Sequence, residues 1–203
     1  MSELFLLQSS SFVVIEKWGN ALATDALKEE YYNKNPLIFF SVYTDTQYKI
    51  VRSLGGDIVR CLEETISIDE SGTVNTRLTG EFTDDAYEKF WLWILGAYEV
   101  VRTMAQAKAC FIDDVPQKLE ELKQTLAVLR MPFAKQEPKG VKGAVSAELS
   151  IYSICGSPPD YQFRVGEQVV SVRELIGNFN EVLGSIKRED IVARHQDSYG
   201  GAL

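Results

Sequence analysis

One long segment, apolar on most of its sides, constrains the fold of this chain more than any other. It covers residues 84–112 and reads DDAYEKFWLWILGAYEVVRTMAQAKACFI. A helix with two apolar stripes contacts neighbours on two sides. We therefore predict a mostly buried central helix, capped at Thr83 and ending at Asp113. Its apolar residues recur at steps of three and four, in one stripe of Tyr87, Phe90, Trp91, Ile94, Tyr98, Val101, Ala105, Ala109 and Ile112 and a second of Trp93, Ala97, Val100, Met104, Ala107 and Phe111.

Three further stretches have the spacing of helices that pack around the central one. Pro36 suits the first turn of a helix, and a capping box runs from Ser171 to Glu174. The helix that follows Pro116 is joined to the central helix by a short link, so the two are expected to be antiparallel. The predicted bundle consists of residues 36–66, 84–113, 115–134 and 172–188.

A small antiparallel sheet is predicted near the C-terminus. Residues 148–155 alternate in polarity, and a hairpin with the two-residue turn Gly166–Glu167 follows. A third apolar run, at 12–15, is rich in β-branched residues and is predicted to be a lead-in strand. The fold class is therefore α+β, mainly α, with an antiparallel helical bundle and a small antiparallel sheet or hairpin.

The chain is expected to form a single compact domain. Residues 1–138 would be the bundle with its lead-in strand, and 139–190 the hairpin plus a C-terminal helix. Residues 191–203 are polar and glycine-rich, and we expect a disordered tail there. Gly55 and Gly56 lie in the middle of a predicted helix, where each costs about 1 kcal/mol relative to alanine. A kink, a close helix contact or a bound anion would explain them.

Composition excludes several functions. The net charge of −8 argues against a general nucleic-acid binder, because duplex binding depends on Lys and Arg at phosphates. A basic run between Lys123 and Lys142 could hold a small anion or an RNA end, or be a solvated linker. The three cysteines are far apart, so neither a zinc site nor a disulfide framework is expected. Without a signal peptide or an apolar run of membrane-spanning length, we expect a cytoplasmic protein.

The common catalytic residue sets are missing from the sequence. His195 is the only histidine, so a Ser-His-Asp triad, a Cys-His pair and most zinc sites lack their central residue. The chain has no Walker loop and no GxGxxG motif. We therefore expect no metal and no cofactor, and favour a protein that is not an enzyme.

Two groups of residues are candidate sites. On the polar line of the central helix, an arginine could hold a phosphate or carboxylate while a glutamate orients it. This candidate ligand site consists of Tyr98, Glu99 and Arg102, with Arg130 and Lys135 from the following helix. The alternative interpretation of Glu99 and Arg102 is a surface ion pair. The second candidate is catalytic and consists of Arg188 and His195, separated by six residues.

This Arg-x6-His spacing, with helices of this length, resembles the HEPN group of small helical proteins. The resemblance covers residues 36–134 by layout. It implies a ribonuclease of a toxin or defence system, in which Arg188 and His195 of both protomers of a dimer would form the active site, or an inactive relative. Arg188 and His195 share a helix face only if the last helix continues to His195.

Two expectations for function follow, and a third stays open. The first is a non-enzymatic binding or regulatory protein, acting through protein–protein contacts and dimeric, because apolar and aromatic residues are plentiful. Its partner would be a second copy or another protein, not a membrane. The alternative is the HEPN-like ribonuclease, with RNA as its substrate. The third is a small-anion or nucleotide sensor that uses Arg102 and the basic loop.

Overall fold

The computed structural model of the chain describes residues 25–71, 73–76, 80–112, 114–135 and 151–195. The predicted lead-in strand at 12–15 and the proposed domain boundary at 138 lie outside these residues. None of the described helices combines the length and apolarity needed to cross a lipid bilayer. The α-helices of the described residues are α1 (Asp25–Lys34), α2 (Pro36–Phe40), α3 (Val42–Thr65), α4 (Gly80–Gln106), α5 (Asp114–Lys135) and α6 (Val172–Ser185).

Two small antiparallel sheets accompany the helices. One pairs β1 (Ile66–Ile68) with β2 (Val74–Thr76). The other has the order β3–β4–β5 and consists of Ile151–Gly156, Pro159–Val165 and Gln168–Ser171. The predicted fold class, mainly helical with a small antiparallel sheet near the C-terminus, is confirmed.

The core forms around one side of α4. Trp93 and Phe90 are fully buried, and their ring centroids are 5.8 Å apart. Phe163 of β4 stacks on Phe90 at 5.4 Å, while Phe179 of α6 meets Trp93 edge-on at 5.5 Å. Because aromatic rings bury large areas, these contacts join the sheet and α6 to the helix pair α3–α4.

The central helix has different ends from those predicted. It begins at Gly80, so Thr83 lies inside it, and it ends at Gln106 rather than at Asp113. Phe111 is extended and forms an antiparallel bridge with Ile191. The last two residues of each predicted stripe therefore lie beyond the helix, where the backbone pairs with the C-terminal segment. They are Ala109 and Ile112 of the first stripe, and Ala107 and Phe111 of the second.

The predicted helix 36–66 is divided at Ser41. This residue is extended, with φ −162° and ψ 123°. Its hydroxyl oxygen accepts a hydrogen bond from the backbone N–H of Thr44 at 3.2 Å. The bond satisfies one of the free N–H groups at the start of α3, so two helices replace the single one predicted.

The hairpin and the capping residue before α6 are confirmed. Val165 pairs with Gln168, and Gly166 between them has φ +59°, as a two-residue turn requires. The Ser171 hydroxyl accepts from the backbone N–H of Glu174 at 3.0 Å. Buried Asp160 accepts in turn from that hydroxyl at 2.5 Å, which ties β4 to the start of α6.

The expectation of a disordered tail over 191–203 is wrong for its first five residues. Ile191 is buried, and the backbone N–H of Val192 donates to the carbonyl of Cys110 at 2.9 Å. The N–H of His195 donates to the carbonyl of Phe40 at 2.9 Å. These backbone bonds hold the segment against the bundle, although its polar composition favours disorder.

The adjacent glycines of α3 provide a test of helix packing. A Cβ on Gly55 would lie 3.0 Å from both Trp93 Nε1 and Ile176 Cγ2, whereas one on Gly56 meets nothing within 4 Å. We expect Gly55→Leu to lower the free energy of unfolding by about 1–3 kcal/mol through overpacking.

Gly56→Leu is the matched control, one residue away. It should raise the free energy of unfolding by up to about 1 kcal/mol, because leucine has the higher helix propensity. Urea unfolding followed by circular dichroism measures both variants. Equal effects of the two substitutions would contradict a close contact at Gly55.

Candidate functional site

Arg188 contributes to packing rather than to an open site. Its guanidinium carbon lies 3.4 Å from the centroid of the Phe39 ring, within the range of a cation–π contact. Nη1 donates to the carbonyl of Ile191 at 2.9 Å, and Nε is 3.5 Å from a carboxylate oxygen of Glu29. The guanidinium therefore already contacts an aromatic ring, a carbonyl and a carboxylate.

His195 lies against the neighbouring aromatic residue of α2. Its ring stacks on Phe40 with centroids 5.3 Å apart and an interplanar angle of 17°. Between the two candidate residues, a short 3₁₀ turn covers Arg188–Asp190, and Ile191 is extended. No continuous helix joins Arg188 to His195, so the shared helix face that the motif requires is not formed.

Four of the five residues of the predicted ligand site come together between α4 and α5. Glu99 accepts from Arg102 Nη2 at 2.5 Å and lies 3.4 Å from Arg130 Nη2. The guanidinium of Arg130 is 5.0 Å from the centroid of the Tyr98 ring. Lys135 is exposed at the end of α5 and makes none of the ion pairs found among the described residues.

This cluster has one more positive group than negative groups. Glu99 and Arg102 are each 42% exposed, so an anion in solution can reach the guanidinium of Arg102. Arg130 Nε is buried, and no hydrogen-bond partner for it exists among the described residues. Since a guanidinium carries five N–H donors, the two arginines can donate hydrogen bonds to a second carboxylate or to a phosphate beside Glu99.

The outer side of α4 is apolar and exposed. Trp91 is 42% exposed and Leu92 55%, and Leu95 is partly buried one turn further on. The expected burial of Trp91 is therefore wrong in part, although its Nε1 donates to the carbonyl of Phe133 at 3.1 Å. Both predicted stripes contribute to the core, since Phe90 and Ile94 of the first stripe and Trp93 of the second are fully buried.

Exposed apolar residues of α3 continue this surface. Tyr43 is 70% and Ile50 62% exposed, and Leu54 is partly buried. Val51 marks the contact of α3 with α4, because it lies 3.0 Å from the position of a Cβ on Gly96. Tyr43, Ile50 and Leu54 share one side of α3 next to this contact. We name this surface the apolar strip, and it consists of Tyr43, Ile50, Leu54, Trp91, Leu92 and Leu95.

The thiol of Cys61, near the C-terminal end of α3, lies between two charged side chains of α4. Cys61 Sγ is 3.5 Å from Asp85 Oδ2 and 3.7 Å from Lys89 Nζ. Burial raises the pKa of this thiol, the Lys89 charge lowers the pKa, and the hydrogen bond with Asp85 raises it. Within the described residues, no group of three or more His, Cys, Asp or Glu side chains could hold a metal ion.

No protein-family model, no curated protein and no solved structure matches this chain.

The environment of Cys61 generates a prediction about alkylation. In the folded protein, the raised pKa should make iodoacetamide react slowly at pH 8 and faster as the pH rises. Asp85→Asn should speed the reaction because it removes a cause of the raised pKa. Lys89→Ala should slow it because it removes the cation that lowers the pKa.

Mass spectrometry of the Cys61 peptide measures these rates as a function of pH. Glu88→Gln is the matched control, since it removes one carboxylate from the exposed side of α4. If Asp85→Asn and Lys89→Ala changed the rate in the same direction, local opening rather than the thiol pKa would control alkylation.

Proposed function

We propose that this protein is a cytoplasmic, non-enzymatic binding or regulatory protein that acts through protein–protein contacts made by the apolar strip. The observation that carries the proposal is the joint exposure of Tyr43, Ile50 and Leu92 on one side of the helix pair. Its partner is a second copy of the chain, which makes the protein dimeric, or another protein.

The energetics of the apolar strip support this proposal. Removing one large apolar side chain from water stabilises a complex by about 1.5–3 kcal/mol. Contiguous exposed apolar patches on a soluble protein mark interaction sites, and tyrosine and tryptophan dominate the energetics of many interfaces. Tyr43 and Trp91 supply these two residue types, one on each helix.

A HEPN-like ribonuclease, or an inactive relative, is the alternative proposal. It would use Arg188 and His195, whose side chains pack on Phe39 and Phe40. RNA cleavage by the purified protein that is abolished by both Arg188→Ala and His195→Ala would favour it. Cleavage that survives both substitutions would exclude this pair as the active site.

A sensor of small anions or nucleotides is a further proposal, and the cluster around Glu99 favours it. Two guanidinium groups share one carboxylate there, so a phosphate can add to the cluster or replace the glutamate. A melting temperature that rises with nucleotide in the wild type, and not in Arg102→Ala, would support this function.

Substitutions in the apolar strip test the leading proposal. We expect Leu92→Asp and Ile50→Asp to abolish the native complex, because each places a charge in a surface that must lose water to bind. Both residues are largely exposed, so folding should be retained. Native gel filtration of extracts from cells that express the chain at its natural level measures the size of the complex.

Leu27→Asp is the matched control, because Leu27 is 56% exposed on α1 and Leu92 is 55% exposed. It should leave the size of the complex unchanged. If the wild type elutes at the size of a folded monomer, or if all three variants elute like the wild type, the apolar strip is not the binding surface.

A further inference from the structure

We infer that the apolar strip binds a second copy of this chain, with the two α4 helices antiparallel and crossing at Leu95. Glu88 of each copy then pairs with Arg102 of the other. This inference rests on the proposed function and names its partner and the geometry of the contact. It follows from three properties of the exposed side of α3 and α4: the spacing of the charges on α4, the pairing of these charges within the chain, and the register of α3 against α4.

The spacing of the charges on α4 is symmetric. Glu88 and Arg102 are each seven residues from Leu95, in opposite directions. Seven residues are close to two helical turns, so all three side chains share one face, and each charge is about 10.5 Å from the centre. An antiparallel pair of α4 helices that crosses at Leu95 therefore places Glu88 of one copy opposite Arg102 of the other, twice.

The charges available on this face select the antiparallel arrangement. Glu88 is exposed and takes part in none of the ion pairs found among the described residues. Arg102 and Arg130 share the single carboxylate of Glu99, which leaves one positive charge unmatched. A parallel pair of α4 helices would instead place glutamate opposite glutamate and arginine opposite arginine, which is unfavourable.

The register between α3 and α4 gives the same centre independently. The two helices are antiparallel, since Val51 lies beside Gly96 and Cys61 beside Asp85. Leu95 is therefore level with position 52 of α3. Ile50 and Leu54 are each two residues from that position, so the same two-fold rotation brings Ile50 of one copy onto Leu54 of the other.

The resulting interface has an apolar centre and charged ends. Leu95 meets its own symmetry mate at the axis, and apolar pairs from α3 lie beside it. A two-fold contact uses the same patch on both copies, so residue i contacts j and j contacts i. The exposed side of α3 and α4 satisfies this condition on both helices, through Glu88 with Arg102 on α4 and through Ile50 with Leu54 on α3.

Charge reversal tests this geometry. Sedimentation equilibrium of the purified wild-type chain should show a dimer. Glu88→Arg and Arg102→Glu should each raise the dimer Kd by about tenfold or more, because like charges then face each other twice. The double variant, which exchanges the two charges, should restore the wild-type Kd. Circular dichroism and the melting temperature establish that each variant is folded.

A cross-link provides a second measurement that does not depend on surface charge. Leu95→Cys should form an intermolecular disulfide on mild oxidation, since the two copies of this residue meet at the axis. The wild type, which has three cysteines of its own, and Leu27→Cys are the controls. Both should remain largely unlinked.

Two results would overturn the inference. One is a wild-type chain that stays monomeric up to its highest soluble concentration. The other is a dimer in which the charge exchange fails to rescue the single variants and Leu95→Cys does not cross-link. Either result leaves the proposed function standing if Leu92→Asp still abolishes a larger complex in extracts, because the partner would then be a different protein.

Discussion

The close approach of the Trp93 indole to the backbone of Gly55 determines how the central helix sits in the fold. A Cβ at position 55 would lie 3.0 Å from Trp93 Nε1, so glycine allows α3 and α4 to meet with the indole between them. Phe179 of α6 packs on the same indole, at 5.5 Å. Trp93 and Ile94 are both fully buried, so the advance of about 100° per residue places Leu92 and Leu95 on the opposite side of the helix. The core contact thus determines which side chains form the exposed face.

Much of this fold follows from local patterns in the sequence. The steps of three and four in the central segment predict a helix, and the capping residue at Ser171 and the glycine at 166 each predict the local geometry that is found. The two apolar stripes do not reveal which of their members border water, because periodicity measures the polarity of a side chain and not the presence of a neighbour. Trp91 belongs to the first of these stripes and is nevertheless 42% exposed.

The position of the C-terminal segment, which includes the candidate residue His195, could not be predicted from the sequence. His195 follows a polar stretch whose composition resembles a tail, yet its ring stacks on Phe40 and its N–H bonds the carbonyl of the same residue. These partners are more than 150 residues apart in sequence, and no local pattern relates them. The cluster of Glu99, Arg102 and Arg130 is more predictable, because two of its members are three residues apart on one helix and the third belongs to the antiparallel helix that follows.

Folding of the single chain does not explain the most exposed members of the apolar strip, Tyr43, Ile50 and Leu92. Leu92 is 55% exposed, so a polar residue there would cost the folded monomer little. The core contact of Trp93 needs only its own inward face, and Glu88, one helical turn before Leu92, shows that a charged residue is accepted nearby. An apolar side chain in such a position lowers the free energy of the system only when another surface covers it. In the proposed contact, the charges of Glu88 and Arg102 would contribute mainly to register and orientation, and the apolar centre would contribute most of the affinity.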